Sequence, residues 1–256
     1  LSPVDDTLLR SFDLIKGSMT LVNDDQFNKI YLKLDNCQIK SGGSAANTAV
    51  GYKSFGGKAS FFGTIGEDDF GNSFKKDLEK LEIIFLSSQV ESLDVKTSKS
   101  LILVSKDGER TMCTYLGAST FLSLKHFDTS LFTVDNIIYL EGYLFDSSET
   151  KASMIELCKI AKNKGLTICL SLSDSFCVER HRDDFLLLIK NYVDILFSNN
   201  YEMYMLLNEV ENNDLNPEVV NSLVDIAIVT YGSKGSKVFQ KTSVFHVPSK
   251  NNLDII

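Results

Sequence analysis

From residue 137 to residue 229 the chain alternates short apolar runs with helical patterns, and few architectures accommodate that rhythm. The runs at 137–140, 167–172, 193–197 and 225–229, with an earlier one at 58–62, are each followed by turn-type or polar residues, as buried strands are. Helical patterns lie between them at 44–55, 69–81, 149–162, 182–190, 201–207 and 217–223. In the third, Met154, Leu157, Cys158 and Ala161 recur at helical spacing. Strands apolar throughout, each separated from the next by a helix, predict an α/β fold whose mainly parallel sheet is covered on both faces. A length of 256 residues suits one such domain, alone or with a small appendage.

Two regions depart from the rhythm. Residues 30–40 alternate apolar and polar side chains (Ile30, Leu32, Leu34), and 100–105 with 110–115 read as a hairpin around Lys106-Asp107-Gly108. Such strands have one wet face. They form either a small β appendage, able to close over a ligand and exclude water, or the edge of the main sheet. The polar run 208–216 reads as a loop or a solvated helix end.

A net charge of −8 and a pI near 5.0 argue against a nucleic-acid binder, which needs a basic face. Five cysteines, an odd number without a CxxC spacing, read as free thiols of a reducing compartment, with Cys158 and Cys169 buried in apolar runs. The three histidines have no metal-ligand spacing and read as surface or packing residues. No apolar run is long enough to span a bilayer and no basic-then-apolar leader opens the chain, so a cytoplasmic protein without membrane partners is expected.

Ser41-Gly42-Gly43-Ser44-Ala45-Ala46-Asn47 follows a strand-like run and opens a helix. Paired glycines let a backbone approach a ligand, a helix start offers free N–H groups, and Asn47 can both donate and accept. A glycine turn before a packed helix explains the same segment. It is neither a Walker A loop nor a dinucleotide fingerprint, since GxxxxGK[ST] and GxGxxG are both absent.

The longer spacing is more specific. Gly42, Gly43, Asn47, Ala49, Gly56 and Gly66 meet every fixed position of the first signature of the pfkB family, the ribokinase-like carbohydrate and nucleoside kinases. The chain resembles that family over nearly its whole length. Thr64-Ile65-Gly66-Glu67-Asp68-Asp69-Phe70-Gly71 looks like the usual continuation. Lys16-Gly17-Ser18-Met19-Thr20-Leu21-Val22 and Ser173-Asp174, followed by Phe176-Cys177-Val178-Glu179-Arg180, resemble the adenosine-kinase-like branch. Asn199-Asn200-Tyr201-Glu202 matches the NxxE motif, and Thr230-Tyr231-Gly232-Ser233-Lys234-Gly235 resembles the TxGxxG loop.

The resemblance implies a ribokinase-like three-layer sandwich, a single incomplete kinase domain over 1–256, with lid strands around 18–40 and 98–116. It implies ATP and Mg²⁺, and as acceptor a sugar or nucleoside, adenosine or ribose-like. Gly42, Gly43, Ser44, Asn47 and Glu141 are expected at the acceptor, Asn199, Thr230, Gly232 and Gly235 at ATP, and Glu202 at Mg²⁺ through water. Arg110 is expected to reach the transferred phosphate, or else is a solvated strand-edge residue. Glu141 also follows a strand end, where open sheets face their ligands. Asn199 and Glu202 equally form a capping-box pair, and the Thr230 loop equally a hairpin turn. Lid strands in the family can pair across a dimer, which leaves a homodimer open.

Two family elements are missing. The first strand with its substrate-binding aspartate is not found, and neither Asp5 nor Asp6 is assigned that role. The DTxGAGD-type segment with the catalytic base would begin near Leu253-Asp254-Ile255-Ile256, and Asp254 is not assigned as the base. The expectation is a portion of an intact kinase. The alternative is a non-catalytic ligand-binding or regulatory member of the family.

Overall fold

The computed structural model describes residues 1–86, 95–210 and 214–250. Asp254 and part of the polar run 208–216 lie outside them. Contacts divide the chain into two units, Leu1–Leu122 and Ser123–Ile256.

The first unit holds β1 (Ser2–Pro3), α1 (Asp6–Ser11), β2 (Met19–Leu21), α2 (Asp24–Tyr31), α3 (Ser44–Ser54), β3 (Ser60–Phe61), α4 (Asp69–Lys80), β4 (Ile84–Phe85), β5 (Lys99–Val104) and β6 (Arg110–Tyr115). Strands β5 and β6 form the expected hairpin, with Gly108 at φ +85° in its turn. They belong to a four-stranded sheet of order β1-β5-β6-β2, a sheet of its own rather than an edge of the larger one. Leu101, Leu103 and Cys113 on one face bury against Leu9, Phe27 and Ile30 from α1 and α2.

The strand expected at 30–40 is not formed. Helix α2 runs through Tyr31, and Ser44 is the next residue in a regular element. Asn23 and Gln26 close a capping box at the start of α2, and Asp24 and Asp25 suit its positive end. Phe27, Ile30 and Tyr31 then fall on one helix face, with the rings of Phe27 and Tyr31 stacked at 6.2 Å. Leu32, part of the apparent alternation, is 81% exposed. Helical spacing with a cap outweighs a two-residue alternation whose middle residue, Leu32, is left in solvent.

The second unit holds β7 (Ile137–Glu141), α5 (Ser148–Asn163), β8 (Thr167–Ser171), α6 (Ser175–Tyr192), β9 (Ile195–Asn199), α7 (Asn200–Leu207), α8 (Pro217–Leu223), β10 (Ile226–Thr230), β11 (Ser236–Gln240) and β12 (Ser243–Val247). One six-stranded sheet has the order β12-β11-β10-β9-β8-β7. Strands β7 to β10 are parallel, and β11 and β12 extend the sheet antiparallel. Leu140, Leu170, Leu196 and Ala227 lie side by side in register and join Met154, Cys158, Phe185, Leu206 and Val220 from α5 to α8 in one apolar core. Helix α6 begins at Ser175, earlier than its periodicity suggests, because Asp174 caps it and His181 (φ −125°, ψ 19°) interrupts it.

Cys113, Cys158, Cys169 and Cys177 are buried free thiols, and burial pushes their pKa values up to about 11 or 12. No helix among the described residues is long and apolar enough to cross a membrane.

Candidate active site

In the first unit the candidate residues gather at the start of α3. Gly43 is the N-cap at φ +102° and ψ 142°, a conformation open in practice to glycine alone, and it brings no capping side chain. Gly42, Gly43, Ser44 and Asn47 are exposed, while Ala46 on the opposite face is buried. A Cβ added at Gly42 or Gly43 would meet nothing within 4 Å. The glycines therefore leave space outside an uncapped, electropositive helix end.

Gly66 and Gly71, later in the same signature stretch, are packed instead. A Cβ on Gly66 would stand 2.5 Å from the Val95 carbonyl oxygen, and one on Gly71 would stand 2.5 Å from that of Gly66. Between them Asp68 caps α4. It accepts from Gly71 N–H at 2.8 Å, from Thr97 N–H at 2.8 Å and from the Thr97 hydroxyl at 2.7 Å. Burial raises the Asp68 pKa, but these bonds and nearby Lys99 outweigh it and hold the carboxyl below its ordinary range. Arg110, at the start of β6, is exposed beside the hairpin turn and belongs to another element of this unit.

In the second unit the candidates line up on the C-terminal ends of parallel strands. Glu141 ends β7 and pairs in register with Ser171, while Asn199 ends β9 and pairs with Thr230 at the end of β10. Asn199 and Glu202 make a complete capping box. Asn199 Oδ1 accepts from Glu202 N–H at 2.8 Å, Glu202 Oε2 accepts from Asn199 N–H at 2.9 Å, and Asn199 Nδ2 donates to Glu202 Oε1 at 2.7 Å. Burial pushes the Glu202 pKa up, the Asn199 N–H offsets this in part, and the charges of Asp174 and Glu141 add to the rise. A cleft of about 270 Å³ opens beside them, lined by Ser171, Ser173, Ser198, Asn199, Glu202 and Thr230.

The Thr230 loop is the turn of the β10–β11 hairpin. Gly232 (φ +58°) is open, with nothing within 4 Å of an added Cβ, whereas a Cβ on Gly235 would strike the Val247 carbonyl oxygen at 2.1 Å. A second cleft of about 730 Å³ runs past this loop, with Tyr201, Tyr231, Gly232, Lys234 and Lys237 among its walls. Burial lifts the Tyr231 phenol to about 12. His246 meets the Lys234 carbonyl and His181 meets Asp146, so both have packing roles.

The local chemistry suits phosphate and a hydrated cation. Gly232 and Lys234 offer an approach for an anion, while Lys237 is paired with Asp214 at 3.0 Å in the same cleft. Burial, with the nearby charges of Asp174 and Glu141, makes Glu202 costly to ionise, which a divalent cation kept in its water shell would relieve. Ser173, Tyr143 and Ser198 lie at the same strand ends, beyond the residues that the sequence nominates. Ser198 Oγ is buried without a hydrogen-bond partner among the described residues. Ser173 stands in a segment that resembles the adenosine-kinase-like branch, but its contacts with Glu141 and Tyr143 are made across the sheet end, where no local pattern records them.

The family model for "pfkB family carbohydrate kinase" matches residues 11–254. Among solved structures, the chain is 34% identical to an adenosine kinase from Sinorhizobium meliloti, covering 100% of this chain and 78% of that one with a TM-score of 0.90. It is 31% identical to a probable sugar kinase from Rhizobium etli, covering 98% and 76% with a TM-score of 0.86. A 5-dehydro-2-deoxygluconokinase of Mesomycoplasma hyopneumoniae is 25% identical over 91% of this chain and 72% of its own length.

Proposed function

The chain belongs to the pfkB family of carbohydrate kinases, and on that premise we propose that it transfers the γ-phosphoryl group of ATP to a hydroxyl of a nucleoside, adenosine first among them. The observation that carries the reading is the open, glycine-built start of α3, where Asn47 stands one turn inside an uncapped helix end. Likeness to an adenosine kinase over the whole chain favours a nucleoside over a sugar.

In this reading Gly42, Gly43, Ser44, Asn47 and Glu141 bind the acceptor. Backbone N–H groups and the Asn47 amide hold its hydroxyls, and Glu141 accepts from one of them. Asn199, Thr230, Gly232 and Gly235 hold the nucleotide, and Arg110 compensates charge on the transferred group. Mg²⁺, held through water near Glu202, would neutralise phosphate charge. These residues bind and orient, and none of them is assigned the acceptor's proton. Phosphoryl transfer draws mostly on positioning and charge stabilisation, which this set of groups supplies.

The test is turnover of ATP with adenosine, other nucleosides, ribose and fructose phosphates. Adenosine is expected to have the highest kcat/KM. A sugar preferred over every nucleoside would move the acceptor to that class. Ligand binding by the full-length protein without a phosphorylated product from any acceptor would establish a non-catalytic member.

A further inference from the structure

Ser173 adopts a backbone conformation that a side chain disfavours. Its φ is +73°, in the left-handed region where a Cβ crowds the following carbonyl and glycine does not. What serine adds there is its hydroxyl. That hydroxyl donates to Glu141 Oε2 at 3.0 Å, with the Ser171 carbonyl as a longer alternative acceptor at 3.5 Å. It also accepts from the Tyr143 N–H at 3.3 Å. The adjacent Asp174 caps α6 through the Cys177 N–H, and its charge helps hold the Tyr143 phenol protonated. Between the two gripped residues lies Gly142, where an added Cβ would stand 2.8 Å from the Leu172 carbonyl oxygen and 3.0 Å from the Phe185 ring. The end of β7 is therefore clamped against the turn after β8. Glu141 is only 6% exposed, so the direction of its carboxylate is set by these neighbours.

We propose that Ser173 is a positioning residue for Glu141. Its left-handed backbone aims the hydroxyl at one carboxylate oxygen, and this holds Glu141 as an oriented hydrogen-bond acceptor for a hydroxyl of the acceptor substrate. The inference rests on the assignment of Glu141 to acceptor binding.

Ser173→Gly separates the hydroxyl from the turn, because glycine relieves the backbone while removing the Oγ. The acceptor KM is expected to rise about tenfold, with kcat and the KM for ATP within about twofold and the melting temperature not lowered. Ser173→Asn, which tolerates the left-handed conformation and carries a donor amide, is expected to recover part of the loss. In the double variant with Glu141→Gln, the acceptor KM is expected to match that of Glu141→Gln alone, since both changes remove one interaction. An unchanged acceptor KM in Ser173→Gly, equal losses for ATP and acceptor, or additive effects in the double variant would overturn the inference and leave the kinase reading standing. Absence of turnover by the unaltered protein across the nucleoside and sugar panel would overturn that reading, and this inference with it.

Discussion

Helices α3 and α7 each carry a candidate asparagine near the start, but the two starts are built in opposite ways. At α3 the cap is Gly43, with no side chain, positive φ and open space around it. At α7 the cap is Asn199, locked to Glu202 by three hydrogen bonds, with Glu202 only 5% exposed. The first start leaves its N–H groups for something outside the helix. The second satisfies its own. Residues at α3 can be spent on a ligand with little loss of fold, whereas Asn199 and Glu202 hold the fold before they meet any ligand. The same division runs through the glycines: Gly42, Gly43 and Gly232 are open, while Gly66, Gly71 and Gly235 are packed against backbone.

The largest test of this contrast is Gly43→Val. A β-branched residue at φ +102° is strained by about 1–3 kcal/mol and obstructs the open approach. A loss of acceptor kcat/KM of more than about a hundredfold is expected, about 2.7 kcal/mol or more of transition-state binding. Steady-state kinetics beside a urea melt check it, and retained kcat/KM would mean that α3 does not meet the acceptor.

Asn199→Ala breaks the closed start. It removes a cap worth about 1 kcal/mol and strips one donor from a buried carboxylate at a further cost on the order of 1–3 kcal/mol. The melting temperature should fall by several degrees. Unchanged stability would show that the capping box contributes nothing.

Asn47→Ala is expected to do the reverse. The acceptor KM should rise roughly tenfold while stability changes by less than about 0.5 kcal/mol, as for an exposed site. Equal losses for ATP and acceptor would remove Asn47 from the acceptor site.

The smallest expected effect is a pH dependence confined to α7. The Glu202 pKa is raised in the folded protein, by burial above all. Its contribution favours folding fully below the ordinary glutamate pKa and is lost as pH rises through the raised folded value. Stability measured relative to Glu202→Gln should therefore decline with rising pH across that window, by less than about 1.4 kcal/mol per pH unit. The same comparison for Asn47→Ala should be flat. A flat difference for Glu202→Gln would mean that the Asn199 bonds fully compensate its burial.

Much of this was legible along the chain. The alternation of apolar runs and helical patterns located β7 to β10 and the helices between them, because each run reports its own burial. Asn199 and Glu202 were readable as a capping pair because they are three residues apart. The strand expected at 30–40 fails because the cap at Asn23 and the Phe27–Ile30–Tyr31 face set a helical period there. Helix α6 is longer than its periodicity predicts because His181 breaks that periodicity.

By itself the sequence determined the order of the elements and the glycine spacing of the signature, since both depend on neighbours within a few residues. Only the tertiary structure decided which glycines are open and which are packed. Gly66 is confined by residues around Thr97, 31 positions away, and Ser173 reaches Glu141 across 32. No local pattern records contacts made at that separation, so the left-handed turn at Ser173 and its grip on Glu141 are visible only once β7 and β8 lie side by side.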